Sequence, residues 1–521
     1  MEPNRTPGYP AMPRGKRPVG DEPASGVSLR RLVAAVGAGL EAIRLVEPPD
    51  GVGSDRPNPV ITDVTHDSRE VTAGALYACV VGSSADGHDF AAAAVDAGAS
   101  ALLVERELVG PSEASVPQVV VPDTRRAMGR FAAEVWGRPS RDLDVVGVTG
   151  TAGKTTVTHL LASILRRSGR RTSILGTLSG RRTTPESTDL HRILARERDL
   201  GTEALVTEVS SHALTLHRVE GVRFAAALFT NLGSDHLDFH GDVESYFAAK
   251  RSLFDSRRVG FGVVNRDDPY GRRLLAEGGS SGDLPMIEFG LDDVTGLVMG
   301  ASGSAFDWRG RHIELPIPGR FNVSNAVAAA TLAAEMGSDL DDIVGGLASV
   351  EPVRGRVERV VPPGSATGTP VDIDVLVDYA HKPEALAAVL DMAREVARGG
   401  VVVVIGCGGD RDRGKRPVMA AMAEARADRV VLTSDNPRSE DPLDILAEMR
   451  SGLVGRGNVV TIADRAEAIR TAILTAEPSD LVIIAGKGHE TTQTTGNTVV
   501  EFDDRAHSAA ALAERMGGTD S

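Results

Sequence analysis

The sequence predicts an α/β chain of three domains: a small N-terminal α/β domain, a central domain built like a phosphate-loop ATPase, and a C-terminal Rossmann-like, doubly wound domain. Three observations lead there. At 521 residues the chain is too long for one core and calls for two to four domains. From residue 352 onward short apolar runs alternate with helical stretches, the pattern of a parallel sheet covered by helices. Around residue 150 an apolar run, a glycine-rich turn and a helical stretch follow one another, the context a phosphate loop requires.

Composition narrows the function classes. A quarter of the residues are charged and 41% are apolar, as in ordinary soluble proteins. The net charge of -15 argues against a nucleic-acid partner, so anionic substrates would need local basic pockets. Cys79 and Cys407 sit in apolar runs and form no disulfide or metal pattern, which points to a reducing, cytoplasmic compartment. No apolar run approaches the ~20 residues that span a membrane. Residues 1–27, rich in Pro, Gly and Arg, are expected to be a disordered tail or the product of an over-called start site, and lack the hydrophobic stretch of a signal peptide. Only six of the 57 basic residues are lysine, and five of these (Lys154, Lys250, Lys382, Lys415, Lys487) fall in stretches that stand out as motifs on other grounds. In a chain that writes Arg nearly everywhere, they mark candidate positions for an amine.

The elements follow in order. Ser28 to Ala38 reads as a helix, Val60 to Asp67, Ala75 to Val80 and Ala101 to Glu105 as strands, and Phe90 to Ala97 as a helix; this first domain, 28–139, closes near Gly137-Arg138-Pro139. The central domain, 140–351, opens with the strand Asp144 to Val148 and the loop Gly150-Thr151-Ala152-Gly153-Lys154-Thr155-Thr156, with a helix from Val157 to Arg166. Such a turn aims backbone N–H groups at phosphates from a helix N-terminus; Lys154 can reach the β/γ-phosphates and the Thr155 hydroxyl can hold Mg²⁺. The strand 205–212 carries Glu208, an acid at the end of a neighbouring strand that fits the Mg²⁺ shell. A strand from Ala225 to Thr230 leads into Asn231–His240. His236 and His240 have half of a zinc-protease spacing but neither the Glu nor a third ligand, so a second Mg²⁺ held in part by His236 is expected instead. Tyr246 to Phe254 reads as an amphipathic helix with Lys250 among small and apolar neighbours, either a snorkelling surface lysine or a functional amine. Asn322 and Asn325 open an Ala-rich helix, to cap it or to read a purine edge.

In the third domain, 352–521, four polar motifs each sit at the C-terminal end of an expected strand: Asp378 to Pro383, Gly408 to Pro417, Asp435-Asn436-Pro437-Arg438 and Gly486-Lys487-Gly488-His489-Glu490. Ligands of open parallel sheets bind beyond those ends, so the four are expected to meet in one crevice. The whole implies an ATP-driven enzyme. The guanine signature Asn-Lys-x-Asp is missing, while a small-molecule kinase stays open on these grounds.

Taken together, the phosphate loop, Asn231 to Gly241, Asp378-Tyr379-Ala380-His381, Asp435 to Arg438 and Gly486 to Glu490 closely resemble the Mur ligases. Within them the chain looks like the member that adds meso-diaminopimelate to UDP-N-acetylmuramoyl-L-alanyl-D-glutamate. The resemblance covers nearly all of the chain after the tail. It implies ATP and Mg²⁺, an acyl phosphate on the glutamate side chain, attack by the diaminopimelate amine, and a monomer in the cytoplasm. By resemblance Gly150 to Thr156 hold the phosphates; Lys154, Glu208, His236 and Lys250 are catalytic; Thr155, Glu208 and His236 hold metal; and Lys250 is carbamylated. Asn322, Arg356 and Asp378 would contact the nucleotide, and Ser68, Thr183, Thr184, Ser210 and Arg218 the UDP-muramoyl dipeptide. Arg411, Asp435, Asn436, Pro437, Arg438, Gly486 and Glu490 would hold diaminopimelate. Gly233, Ser234 and Lys382 depart from the family pattern and touch none of these roles. A folylpolyglutamate-synthase-like ligase would need neither the first domain nor the Asp-Asn-Pro-Arg motif, and a non-catalytic nucleotide-binding regulator would not need Glu208, His236 and Lys250 together.

Overall fold

The computed structural model of the protein describes residues 26–37, 42–49, 58–180, 182–362, 371–455 and 458–517. Most of the expected tail, residues 1–25, lies outside them. The described residues form two compact units, the first drawn from Met1–Lys154, Leu165–Phe289 and Thr331–Ser338, the second from Thr155–Ile164, Gly290–Ala330 and Asp339–Ser521.

The first unit holds two larger sheets and a two-stranded ribbon. In the smaller of these sheets, Asp63–Thr65, Ala75–Ala78, Ala101–Val104 and Gln118–Val120 run parallel and Arg44–Val46 closes the edge antiparallel. The helices Leu29–Gly37 and Thr124–Val135 cover one face with Leu29, Leu32, Met128 and Phe131. Asp123 starts the second of these helices by accepting from Arg126 N, as an N-cap should. The expected strand Val60 to Asp67 is split, because the chain changes partners at Thr62: Val60–Ile61 pairs with Val27–Ser28, and Asp63–Thr65 joins the sheet. The larger sheet is fully parallel, in the order Met286–Phe289, Val259–Asn265, Phe224–Phe229, Asp144–Thr149, Ala204–Glu208, Thr172–Leu175. The strand that feeds the phosphate loop therefore lies inside the sheet, flanked by the strands ending in Phe229 and Glu208. Two expected bounds shift. The strand expected over 205–212 stops at Glu208, since Ser210 caps a short helix, Ser211–Thr215. The helix expected over Tyr246 to Phe254 spans Val243–Arg251, started by an Asp242 cap.

In the second unit a six-stranded sheet runs Glu358–Arg359, Asp374–Asp378, Leu481–Ala485, Val401–Ile405, Arg429–Leu432, Asn458–Thr461. All strands but the first are parallel. Val401, Val403 and Ile405 face one helical layer and Val402 and Val404 the other, as a doubly wound sheet demands. The last strand in sequence inserts at third place, which makes a crossover point beside it. A small antiparallel sheet, Val294–Gly300, Gly303–Trp308 and Arg311–Leu315, was not anticipated from the sequence. Its signals are the period-two burial of Ser304, Phe306 and Trp308 and a tight turn with Arg309 and Gly310 both at positive φ. Among the described residues no helix is long and apolar enough to cross a membrane.

Candidate functional site

The loop after Asp144–Thr149 can form because Gly150 and Gly153 adopt φ of +150° and +85°, and a Cβ at Gly150 would collide with Thr230 Oγ1. A neighbouring strand end braces it. Asn231 O accepts from Thr151 N at 2.9 Å, Asn231 Oδ1 accepts from Ala152 N at 2.9 Å, and Thr230 Oγ1 donates to Ala152 O at 2.6 Å. Lys154 folds back and donates to Gly150 O and Thr151 O at 2.8 and 3.0 Å. Thr155 and Thr156 are buried in the first turn of the helix Lys154–Arg167 and belong to the second unit.

Lys250 is not a snorkelling lysine. It is 1% exposed, donates to Gly150 O at 2.8 Å and lies 4.5 Å from the centre of the Tyr246 ring. Tyr246 OH in turn bonds Thr151 Oγ1 at 2.9 Å. Burial, and then the Lys154 ammonium, hold the Lys250 amine well below its ordinary 10.5, against the opposing pull of Asp235. None of the five motif lysines is exposed.

Glu208 is buried at its strand end, with Oε1 accepting from Thr177 N at 2.8 Å and Oε2 from Thr177 Oγ1 at 3.2 Å. Thr177 was not singled out in the sequence; it is paired with Glu208 only by the order of the strands. Thr183 Oγ1 lies 3.1 Å from Thr177 Oγ1. Thr184 Oγ1 donates to Glu208 O at 2.9 Å and accepts from Ser210 N at 3.1 Å. Arg218 meets the buried Glu186 at 3.0 Å, and Arg182 and Arg125 also contact that carboxylate. Thr183, Thr184, Glu208, Ser210 and Arg218 thus form one polar group. Ser68 stands outside its hydrogen bonds, opening a 3₁₀ turn capped by Asp67.

His236 adopts a left-handed φ of +55° and packs edge-on against His212, 4.6 Å between ring centres. Its Nε2 lies 3.4 Å from Asp235 Oδ2. His240 shares a 2.9 Å bond with Ser211 Oγ, and burial lowers both His212 and His240 below their ordinary pKa. Among the described residues no three His, Cys, Asp or Glu gather in a metal-holding cluster.

In the second unit, buried Asn322 donates to Pro318 O at 2.8 Å from inside the first turn of the helix Arg320–Glu335, so it does not cap that helix. Asp378 ends its strand and accepts from Val357 N and Ala380 N, both at 2.8 Å. Burial nevertheless raises its pKa, against the attraction of Arg356. The Arg356 guanidinium lies 4.8 Å over the Tyr379 ring, with His489 packed against the same ring. Among the described residues, Arg356 Nε and His489 Nδ1 are buried without a hydrogen-bond partner.

The other motifs of this unit leave neighbouring strand ends. Asn436 Nδ2 donates to Glu490 Oε2 at 2.7 Å, and Asn436 Oδ1 accepts from Thr494 N at 3.0 Å. Arg438 has a φ of +54° and donates through Nη1 to Gly409 O at 2.7 Å. Gly486 has a φ of +117°, and a Cβ there would lie 2.8 Å from Asp435 Oδ2. Pro437 is buried between Asn436 and Arg438, while Arg411 is exposed. Lys487 is fully buried, donates to Thr492 O at 2.7 Å and sits 3.4 Å from Glu490 Oε2. An acid and a guanidinium are thereby held by three strand ends.

Three family models match the chain: the Mur ligase family catalytic domain over residues 60–136, the Mur ligase middle domain over 148–333, and the Mur ligase glutamate ligase domain over 356–488. A protein of Geobacillus thermodenitrificans (strain NG80-2), named UDP-N-acetylmuramoyl-L-alanyl-D-glutamate--2,6-diaminopimelate ligase, is 44% identical over 487 residues, covering 88% of this chain and 96% of its own. The protein of that name in Streptomyces coelicolor (strain ATCC BAA-471 / A3(2) / M145) is 42% identical over 508 residues, covering 92% and 98%. A solved structure with the same name superposes with a TM-score of 0.66 at 30% identity, covering 94% of this chain and 99% of that one. Mycobacterium tuberculosis folylpolyglutamate synthase, solved with ADP and AMPPCP, shares the fold at a TM-score of 0.55 and 18% identity, covering 76% of this chain and 95% of its own.

Proposed function

The chain belongs to the Mur ligase family, and from that premise we propose that it uses ATP to join meso-diaminopimelate to the glutamate side chain of UDP-N-acetylmuramoyl-L-alanyl-D-glutamate, a step of peptidoglycan precursor synthesis. The observation that carries the choice of amine is the Asn436–Glu490 bond beside Arg438. Diaminopimelate differs from lysine by a distal carboxylate. Arg438 and Arg411 can answer that carboxylate with charge-assisted bonds and Glu490 can answer its ammonium, with Asp435, Asn436, Pro437 and Gly486 shaping the loops.

The γ-phosphoryl group passes to the glutamate carboxylate, giving ADP and an acyl phosphate. The diaminopimelate amine then attacks the acyl carbon, loses a proton, and phosphate leaves as the amide forms. Lys154, released from the loop carbonyls, would turn its charge to the phosphates beside the N–H groups of Gly150 to Thr156. Thr155, Glu208 and His236 would hold Mg²⁺. Their mostly oxygen donors suit a hard ion that takes one or two protein carboxylates plus substrate phosphates. Mg²⁺, when bound, supplies charge neutralisation during phosphoryl transfer. Lys250 fits carbamylation, since its depressed pKa keeps the lone pair free to attack CO₂, forming an N–C bond and releasing a proton. The orphaned Nε of Arg356 fits a nucleotide contact in company with Asp378 and Asn322. Ser68, Thr183, Thr184, Ser210 and Arg218 would hold the UDP-muramoyl dipeptide. Three domains at 28–139, 140–351 and 352–521, working as a cytoplasmic monomer, complete the proposal.

The test is phosphate release from ATP and Mg²⁺ with the UDP-muramoyl dipeptide, adding either meso-diaminopimelate or L-lysine. Release with diaminopimelate alone is expected. Release with lysine would overturn the selectivity, and release with neither would return the question to the folate-type and regulatory readings.

A further inference from the structure

Arg465 and Asp504 form an ion pair with no solvent exposure on either side chain, Nε meeting Oδ1 and Nη2 meeting Oδ2, both at 2.7 Å. Packing does not explain it, and the helix dipole favours only one partner, Asp504 as the first residue of the helix Asp504–Gly517. Removing two such charges from water costs several kcal/mol per ion, and apolar residues of similar volume often do as well or better. Around the pair Ala468, Ile469, Ala472, Ile473 and Leu512 already build an apolar layer. Arg465 is also the first residue of the helix Arg465–Leu474, where the dipole is positive and a cation is disfavoured.

The remaining N–H groups say what the guanidinium holds. Nη1 donates to Ser434 O at 3.2 Å and Nη2 donates to Ala485 O at 3.1 Å. Ser434 immediately precedes Asp435, and Ala485 immediately precedes Gly486. The strands Arg429–Leu432 and Leu481–Ala485 are not neighbours, because Val401–Ile405 lies between them. No ladder can therefore tie these two loops to each other, and at ~4.8 Å per strand they start about 10 Å apart. The planar fork of Arg465 spans that gap, and the negative charges of Asp435 and Glu490 also favour its cationic form.

We propose that Arg465, fixed by Asp504, is a positioning residue that sets the separation of the two amino-acid-binding loops and with it the discrimination of diaminopimelate from lysine. This rests on the ligase reading above. Asp504 orients the guanidinium, and the two carbonyls transmit that orientation to Asn436, Arg438 and Glu490.

The test is the double replacement Arg465→Met with Asp504→Leu, which removes both charges at similar volume, beside the single variant Arg465→Lys, which keeps the charge but loses the fork. Melting temperature, KM for each of the three substrates, and amide exchange over 435–438 and 486–490 are read in both. A folded double variant is expected to raise the diaminopimelate KM by about 10- to 100-fold, the order for a reacting group misplaced by an ångström. The preference over lysine should fall by a similar factor, amide exchange in both loops should quicken, and the KM for ATP should stay within about twofold. Arg465→Lys should move the same quantities in the same direction, and it decides the matter where the double variant does not fold. An unchanged diaminopimelate KM with unchanged loop exchange in a folded variant overturns the proposal, as does a uniform loss across all three substrates. If the wild type releases no phosphate with diaminopimelate, the ligase reading fails instead, and loop exchange alone still judges what Arg465 holds.

Discussion

Lys250 combines two properties that rarely coincide, full burial and a bond to the backbone of the phosphate loop. Under the proposed carbamylation, Lys250→Ala is expected to lower turnover about 100- to 1000-fold, the size seen when one preorganised charge-stabilising group is lost. Short carboxylic acids should restore part of it, whereas Lys250→Arg should not respond to them. Full activity in the alanine variant would remove the carbamate from the mechanism. The pH dependence has a definite sign. The amine is neutral in the native state down to its depressed pKa, while the unfolded chain stays protonated up to about 10.5. The unfolded state therefore binds more protons across that interval, and this residue's contribution to stability rises with pH through it. On acidification through the depressed pKa the amine charges, so the CO₂ mass increment on the peptide carrying Lys250 should disappear. For Arg438→Ala, the loss of charge-assisted bonds worth about 2 to 3 kcal/mol predicts a diaminopimelate KM raised roughly 30- to 150-fold. ATP affinity should be unaffected, and an unchanged KM would exclude Arg438 from the amino-acid site.

At the scale of elements, the site depends on turns whose backbone only glycine adopts easily. Gly486 has φ +117° and stands 2.8 Å, by its absent Cβ, from Asp435 Oδ2. Gly486→Ala therefore adds about 1 to 3 kcal/mol of backbone strain and pushes Asp435 out of register. It is expected to lower the melting temperature by a few degrees and raise the diaminopimelate KM while nucleotide binding persists; equal loss of both would show damage beyond the loop. The hairpin Thr492–Thr495 and Thr498–Glu501 acts as a clasp on the same motif. Arg438 N donates to Thr494 O at 2.9 Å, and Gln493 Nε2 donates to Asp435 O at 2.8 Å. Nothing in its polar, Thr-rich sequence announced that role, because the bonds run to a loop more than fifty residues away.

For the whole molecule, the charge of -15 and the four converging motifs argue for small anionic substrates met by local arginines, not for a polyanion. Fluorescent duplex DNA at low ionic strength is expected to show no anisotropy change on titration; binding that weakens with salt would contradict that reading. Much of this was legible in the residues. The period of apolar runs placed strands and helices, the glycine spacing placed the phosphate loop, and the motif residues fell at strand ends, since these follow from local sterics and burial. What the sequence left open was decided by sheet order. Insertion of Leu481–Ala485 between Asp374–Asp378 and Val401–Ile405 brings Glu490 to Asn436, and the fork of Arg465 under both loops. The neighbouring strand ends bring Asn231 to the phosphate loop and Thr177 to Glu208, while the Val243–Arg251 helix turns Lys250 inward. A residue's type and local period say what it can bond and which face it shares. Which distant partner it meets depends on the packing of elements whose contacts are not encoded by spacing along the chain.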